Sequence, residues 1–457
     1  MKERGILLPI FSLPSKYGIG DFGYEAYEFI DILSRSGIEY WEILPINACN
    51  RLPYSPLSYY ALEEDYISLD KLKEKGFINS DIESEISEER KNTNKAIYDD
   101  FKVKYFKEAY QTFVNKSNDE GNCVDCKMEY DNFIKQKEIQ EYVDYVSEKT
   151  GEDRNYYLFL QYVLYSQWNE LKKYANMKNV RIIGDMPVYP VFDSAETKFH
   201  PEYYEIENGE FKFEAGTPPD YYNQDGQKWN SPVYNVENMK KDGFDYLVKR
   251  FKYQLKLFDK VRVDYFRGYD SFFRIPIGKS GKEGEYVDGV GYAFFDKLFE
   301  DGEVNKDSLI IEDLGDIREE TIKMREHYGF TRQKILEFSI DFYNFIDTDN
   351  EQENVVVFPG NHDCQTIYGW YKTLGEDNQW RLKEFLRRNG CNDINVNIGM
   401  IEYCMKCKAK IAIVMLQDII GLDDSARINL PGTSSENNWS WKLVSFKEFG
   451  DEPFIHF

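Results

Sequence analysis

Apolar positions along this chain follow two alternating rhythms. Short, nearly unbroken apolar runs recur: "VRIIGDMPVY" from Val180, "KVRVDYF" from Lys260, "SLIIEDLG" from Ser308, "KILEFS" from Lys334, "NVVVFPGNHD" from Asn354 and "KIAIVMLQDI" from Lys410. Runs of this kind predict strands buried on both faces. Between them lie stretches with apolar residues at helical spacing: "FDYLVKRFKYQLKLF", "YAFFDKLFEDG", "REETIKMREHYG", "QWRLKEFLRRNG" and "IGMIEYCMKCKA". The chain opens the same way, with strand "GILLPIF", helix "YEAYEFIDILSRSG" closed by Gly37, and strand "YWEILPI". Repeated strand–helix units predict a parallel sheet with helices outside it, and about eight such units predict a (β/α)8 barrel.

Residues 70–175 read differently. They are rich in Lys and Glu, and their apolar residues form helical stripes: Tyr98, Phe101, Tyr105, Ala109 and Phe113, then Leu160, Leu164, Trp168 and Leu171. The expectation is one catalytic barrel spanning residues 1–457, with a mainly helical subdomain inserted at 70–175 and further insertions around the face that carries the site.

One strand breaks its own pattern. In "VRVDYFRGYD", alternation puts Arg262 and Asp264 on one face and Val261, Val263 and Tyr265 on the other. The pair is either a buried structural ion pair or the lining of a site. Other strands favour the second reading. Asp185, Glu312 with Asp313, His362 with Asp363, and Gln417 with Asp418 all fall at strand C-terminal ends, where a barrel of this kind carries its active site. Burying so many charges for structure alone would be costly. Asp264, Glu312 and Asp363 are therefore the candidate catalytic residues. Paired carboxylates suit glycosidic chemistry, one attacking the anomeric carbon and one protonating the leaving oxygen. Arg262 is expected to keep Asp264 ionised, and a glutamate near two aspartates to hold its proton.

Composition narrows the partners. The chain has 457 residues, 42% of them hydrophobic, and a formal net charge of −24, which disfavours nucleic acid and anionic membranes. No G-x-G-x-x-G turn or P-loop is present, so no dinucleotide or nucleotide cofactor is expected. Seven cysteines, no membrane-length apolar run and a start too irregular for a signal peptide predict a reducing, cytoplasmic setting. Two C-x-x-C pairs, Cys123/Cys126 and Cys404/Cys407, stand without a second pair beside them, and no metal site is expected. Oligomeric state is not readable.

The motifs "GILLPIFSLPSKYGIGDFG", "AGTPPDYYNQDGQKW", "RVDYFRGY", "IIEDLG" and "NHD" followed by "GWY" resemble those of the 4-α-glucanotransferases, the amylomaltases or disproportionating enzymes of the α-amylase clan. The resemblance is weakest at 75–155. It implies Asp264 as nucleophile with Arg262 as its partner, Glu312 as acid/base, and Asp363 as a third carboxylate with His362 beside it. Asp185 is implied near the site, with Tyr54 and Trp229 by the glucan groove, and α-1,4-glucans as substrates. Departures are Asn361 and Cys364 where the family usually has Thr and Asn, Tyr265 for His, and Asn230, Ser231 and Pro232 for Gly-Asn-Pro. A further departure is the acidic run at 63–65. All bear on donor and acceptor preference rather than reaction type. The rival functions are an α-glucan hydrolase with the same carboxylates, a glycan-binding protein without catalysis, and a metal-dependent barrel enzyme; only four histidines weigh against the last.

Overall fold

The computed structural model describes residues 2–117, 124–219, 224–349 and 354–449. Eight strands close into a parallel barrel in chain order: β1 (Glu3–Leu7), β2 (Tyr40–Glu42), β3 (Arg181–Met186), β4 (Lys260–Val263), β5 (Leu309–Ile311), β6 (Thr331–Ile335), β7 (Val355–Phe358) and β8 (Ile411–Met415). These are the apolar runs of the sequence, shortened to the residues that pair.

Alternation sorts each strand between two cores. Leu7, Tyr40, Ile183, Ile310, Ile335, Val356, Ile411 and Ile413 fill the barrel interior. Ile182, Val261, Val263, Leu309, Ile311, Val355, Val357 and Val414 face outward into the larger core against the helices. Register then fixes Arg262. It pairs with Ile310 on β5, an interior residue, and with Asp185 on β3. Arg262 therefore enters the barrel and meets Asp185 there.

Helices Leu69–Glu74, Glu88–Asn92, Val103–Ser117, Val124–Phe133, Lys137–Thr150 and Arg154–Met177 lie between β2 and β3. The stripe Leu160, Leu164, Trp168 and Leu171 is fully buried on the last of these, and the Trp168 ring N–H donates to the Leu257 carbonyl at 3.2 Å. The earlier stripe is corrected. Its helix begins at Val103, so Tyr98 and Phe101 precede it, and the Tyr98 hydroxyl donates to the carbonyl of Trp439, a residue of the cleft described below. Cys123 lies outside the described residues.

A second sheet was not legible as such. Phe213–Thr217 and Gln227–Pro232, which follow β3, join Ser271–Pro276 and Glu285–Asp288, which follow β4. The four form an antiparallel sheet on the loops leaving the strands' C-terminal ends. Trp229 sits in the edge strand Gln227–Pro232. That strand is tied to its neighbour through Glu214, which accepts the Asn230 N–H at 2.9 Å and pairs with Lys228 at 2.9 Å. Among the described residues no helix is long and apolar enough to cross a membrane.

Candidate active site

A cleft of about 970 Å³ opens at the C-terminal ends of the barrel strands. Tyr54, Trp229, Asp264, Asp363, Asn429 and Trp439 are among its lining residues. Side-chain exposure separates two layers. Asp264 keeps 22% and Asp363 41%, whereas Arg262 keeps 3% and Asp185 none.

The lower layer is a network of charge-assisted hydrogen bonds. Nη1 of Arg262 lies 2.9 Å from both oxygens of Asp185 and 2.9 Å from Oδ1 of Asp264. Its Nε donates to Gln333 at 3.2 Å. The Tyr54 hydroxyl donates to Asp185 at 2.6 Å and lies 2.8 Å from Nε2 of His362. The Tyr54 and His362 rings stack at 5.4 Å, and Trp439 covers both. Of the sequence-predicted site residues, Tyr54, Trp229, Asp264 and Asp363 thus face the cleft, and Asp185, Arg262 and His362 lie buried beneath it. Burial holds the His362 imidazole below the usual histidine range, so the ring is neutral at pH 7.

Glu312 is held differently. Its Oε2 accepts the Tyr265 N–H at 3.0 Å and its Oε1 the Leu314 N–H at 2.9 Å. Among the described residues it makes no side-chain ion pair of the kind Asp264 has with Arg262. Asp363 is set by Asn429, whose amide donates to Oδ1 at 2.7 Å, and by the Asn361 side chain, which accepts its N–H at 3.1 Å.

Burial, with the charges of Asp185, Glu312 and Asp363, pushes the Asp264 carboxyl up, to about 8, against the pull of Arg262. Burial also raises Glu312. The expectation that Arg262 keeps Asp264 ionised is opposed first by burial, and the guanidinium is also divided between two carboxylates. The carboxylates titrate as a group.

Two strand-end carboxylates turn away from the cleft. Asp313 pairs with Arg325 at 2.7 Å, and Asp418 accepts the Ile367 N–H at 2.7 Å. Sequence reasoning missed Gln333 and Asn429. Alternation in "TRQKI" sends Gln333 inward between the outward Arg332 and Lys334, which was a usable signal. Asn429 reaches the site from a loop and carried none. Among the described residues no group of three or more His, Cys, Asp and Glu is placed to hold a metal ion.

Eight parallel strands closed in order, with carboxylates and an arginine gathered at their C-terminal ends, define a (β/α)8 enzyme. A 4-alpha-glucanotransferase family model, glycoside hydrolase family 77, matches residues 8–147 and 127–446. A 4-alpha-glucanotransferase of Aquifex aeolicus is 33% identical over 97% of this chain and 96% of its own length. One of Streptococcus pneumoniae is 34% identical over 97% and 94%. The structure of an amylomaltase from Streptococcus agalactiae in complex with acarbose superposes with a TM-score of 0.91 at 25% identity, covering 100% of this chain and 98% of that one. The chain belongs to the 4-alpha-glucanotransferase family.

Proposed function

We propose that the protein transfers segments of α-1,4-glucan from a donor maltodextrin to the 4-hydroxyl of an acceptor glucan or glucose, with retention, using no cofactor. The observation that carries this reading is the unlike holding of two carboxylates. Asp264 is exposed to the cleft and ion-paired to Arg262, while among the described residues Glu312 accepts only backbone N–H groups, those of Tyr265 and Leu314.

An Asp264 oxygen attacks the anomeric carbon of the donor. The bond from that carbon to the glycosidic oxygen breaks, and Glu312 gives its proton to that oxygen as the leaving chain departs. A covalent glycosyl-enzyme results. The acceptor 4-hydroxyl then attacks the same carbon, gives its proton to Glu312, and displaces Asp264. Two inversions restore the α configuration. Asp363, fixed by Asn429, is placed to hold sugar hydroxyls, and Tyr54 and Trp229 to border the bound chain. Asp185, Arg262 and His362 are read as substrate-binding mainly through the residues they hold. Buried thiols at Cys364, Cys391, Cys404 and Cys407 fit a reducing, cytoplasmic compartment.

Incubating the protein with maltotriose and separating the products over time tests the reading. Glucose together with maltopentaose and longer chains is expected. Glucose and maltose alone would replace transfer by hydrolysis, and no turnover of maltotriose or amylose would leave a binding protein.

A further inference from the structure

Tyr265 follows Asp264 and stands where the resemblance leads one to expect histidine. Its backbone has φ +49°, a left-handed conformation that a bulky aromatic residue rarely adopts. The turn has two consequences. It aims the Tyr265 N–H at Oε2 of Glu312, 3.0 Å away. It also lays the ring across Gly268, where a Cβ would lie 2.7 Å from Cδ1 of Tyr265, so only glycine leaves room there.

From that position the ring reaches the four-stranded sheet at two points. Trp229 meets it edge-on, with centroids 4.8 Å apart and planes at 89°. Its hydroxyl also comes near the backbone of Phe273, which lies in strand Ser271–Pro276 of the same sheet. Trp229 lines the cleft from the edge strand. One residue therefore holds Glu312 by its backbone and Trp229 by its side chain.

We propose that Tyr265 is a positioning residue that fixes the Trp229 strand relative to Glu312 and thereby sets how far a sugar acceptor outcompetes water. This rests on the transfer reading above. In the second half-reaction Glu312 takes a proton from either the acceptor hydroxyl or a water molecule. What differs is which of them is held in line with the anomeric carbon. A Trp229 wall locked to the base keeps an acceptor ring oriented and water out. A wall free to shift admits water to the same intermediate.

The test separates ring from backbone. Tyr265→Gly keeps the left-handed turn and the N–H and removes only the ring. Tyr265→Phe keeps the ring and loses the hydroxyl. Trp229→Ala removes the other half of the contact. Transfer and hydrolysis products from maltotriose are quantified for each. The ratio of transfer to hydrolysis is expected to fall about tenfold in Tyr265→Gly and in Trp229→Ala, and no further in the double variant, because both remove one contact. In Tyr265→Gly total donor cleavage is expected to change much less than the ratio, and Tyr265→Phe is expected to keep most of the wild-type ratio. An unchanged ratio in Tyr265→Gly overturns the proposal, as does a uniform loss of both products, which marks a purely structural role. Should Tyr265→Gly fold poorly, Tyr265→Asn, which tolerates the same backbone, takes its place with the same two outcomes. Wild-type protein that forms no longer chains would defeat the transfer reading itself, whatever the variants do.

Discussion

Asp185 and Arg262 face each other across neighbouring strands, and both oxygens of the Asp185 carboxylate lie 2.9 Å from Nη1 of Arg262. The same nitrogen serves Asp264. Burial raises the proton affinity of Asp264 most, and this one guanidinium, divided between two carboxylates, lowers it.

That division predicts opposite pH shifts. Arg262 lowers the Asp264 value, and Asp185, Glu312 and Asp363 raise it. In Asp185→Asn the guanidinium turns to Asp264, and the acid limb of kcat/KM should move to lower pH, by about one unit. In Arg262→Gln the limb should move up by at least as much. The pH dependence of kcat/KM for maltotriose checks both, and equal shifts in the same direction would sink the assignment.

Asp264→Asn and Glu312→Gln should each lower turnover of maltotriose by about a thousandfold or more, because in the proposed mechanism each removes a group that bonds or transfers a proton. Their circular dichroism should match wild type, since neither side chain belongs to the barrel cores. Glu312→Gln should retain far more activity on α-maltosyl fluoride, whose leaving group needs no proton.

Tyr54→Phe keeps the stack on His362 and removes the hydroxyl that donates to Asp185 at 2.6 Å and lies 2.8 Å from Nε2 of His362. The buried Asp185 oxygen then loses a partner, at a cost of about 1–2 kcal/mol in stability. A fall in kcat/KM of about tenfold is expected with it, since Asp185 then draws more on Arg262. Denaturant unfolding and steady-state kinetics measure the two effects separately.

Much of this was legible before any coordinates. Strands buried on both faces read as apolar runs, and alternation on β4 alone placed Arg262 and Asp264 together. What stayed hidden depended on contacts between distant segments. The four-stranded sheet pairs strands from two separate loops, and no local pattern announces such pairing. Asn429 lies 66 residues from Asp363. Asp313 and Asp418 looked like their neighbours in sequence, but a neighbouring arginine and a backbone N–H, respectively, claim them instead.

Asp418 gives a prediction about stability rather than catalysis. Its carboxyl is fully buried, one oxygen lacks a partner, and burial pushes it up to about 8 from 3.8. A group whose value is raised on folding contributes stability at low pH that is lost as pH climbs through about 8. Wild-type protein should therefore lose stability between pH 7 and 9. Asp418→Asn, of the same shape and uncharged, should remove about 1 kcal/mol of that loss. Urea unfolding at the two pH values measures it, and an identical loss in the variant would refute the assignment.

A covalent intermediate on Asp264 can be tested by trapping it. Glu312→Gln is mixed with α-maltosyl fluoride, quenched in acid and examined by intact-mass and peptide mass spectrometry. Fluoride leaves without an acid, and the missing base slows release, so the intermediate should accumulate. The account predicts one maltosyl group per protein, on the peptide containing Asp264 and absent in the Asp264→Asn double variant. Maltosyl on another residue, or release of fluoride with no labelled protein at any time, would contradict it.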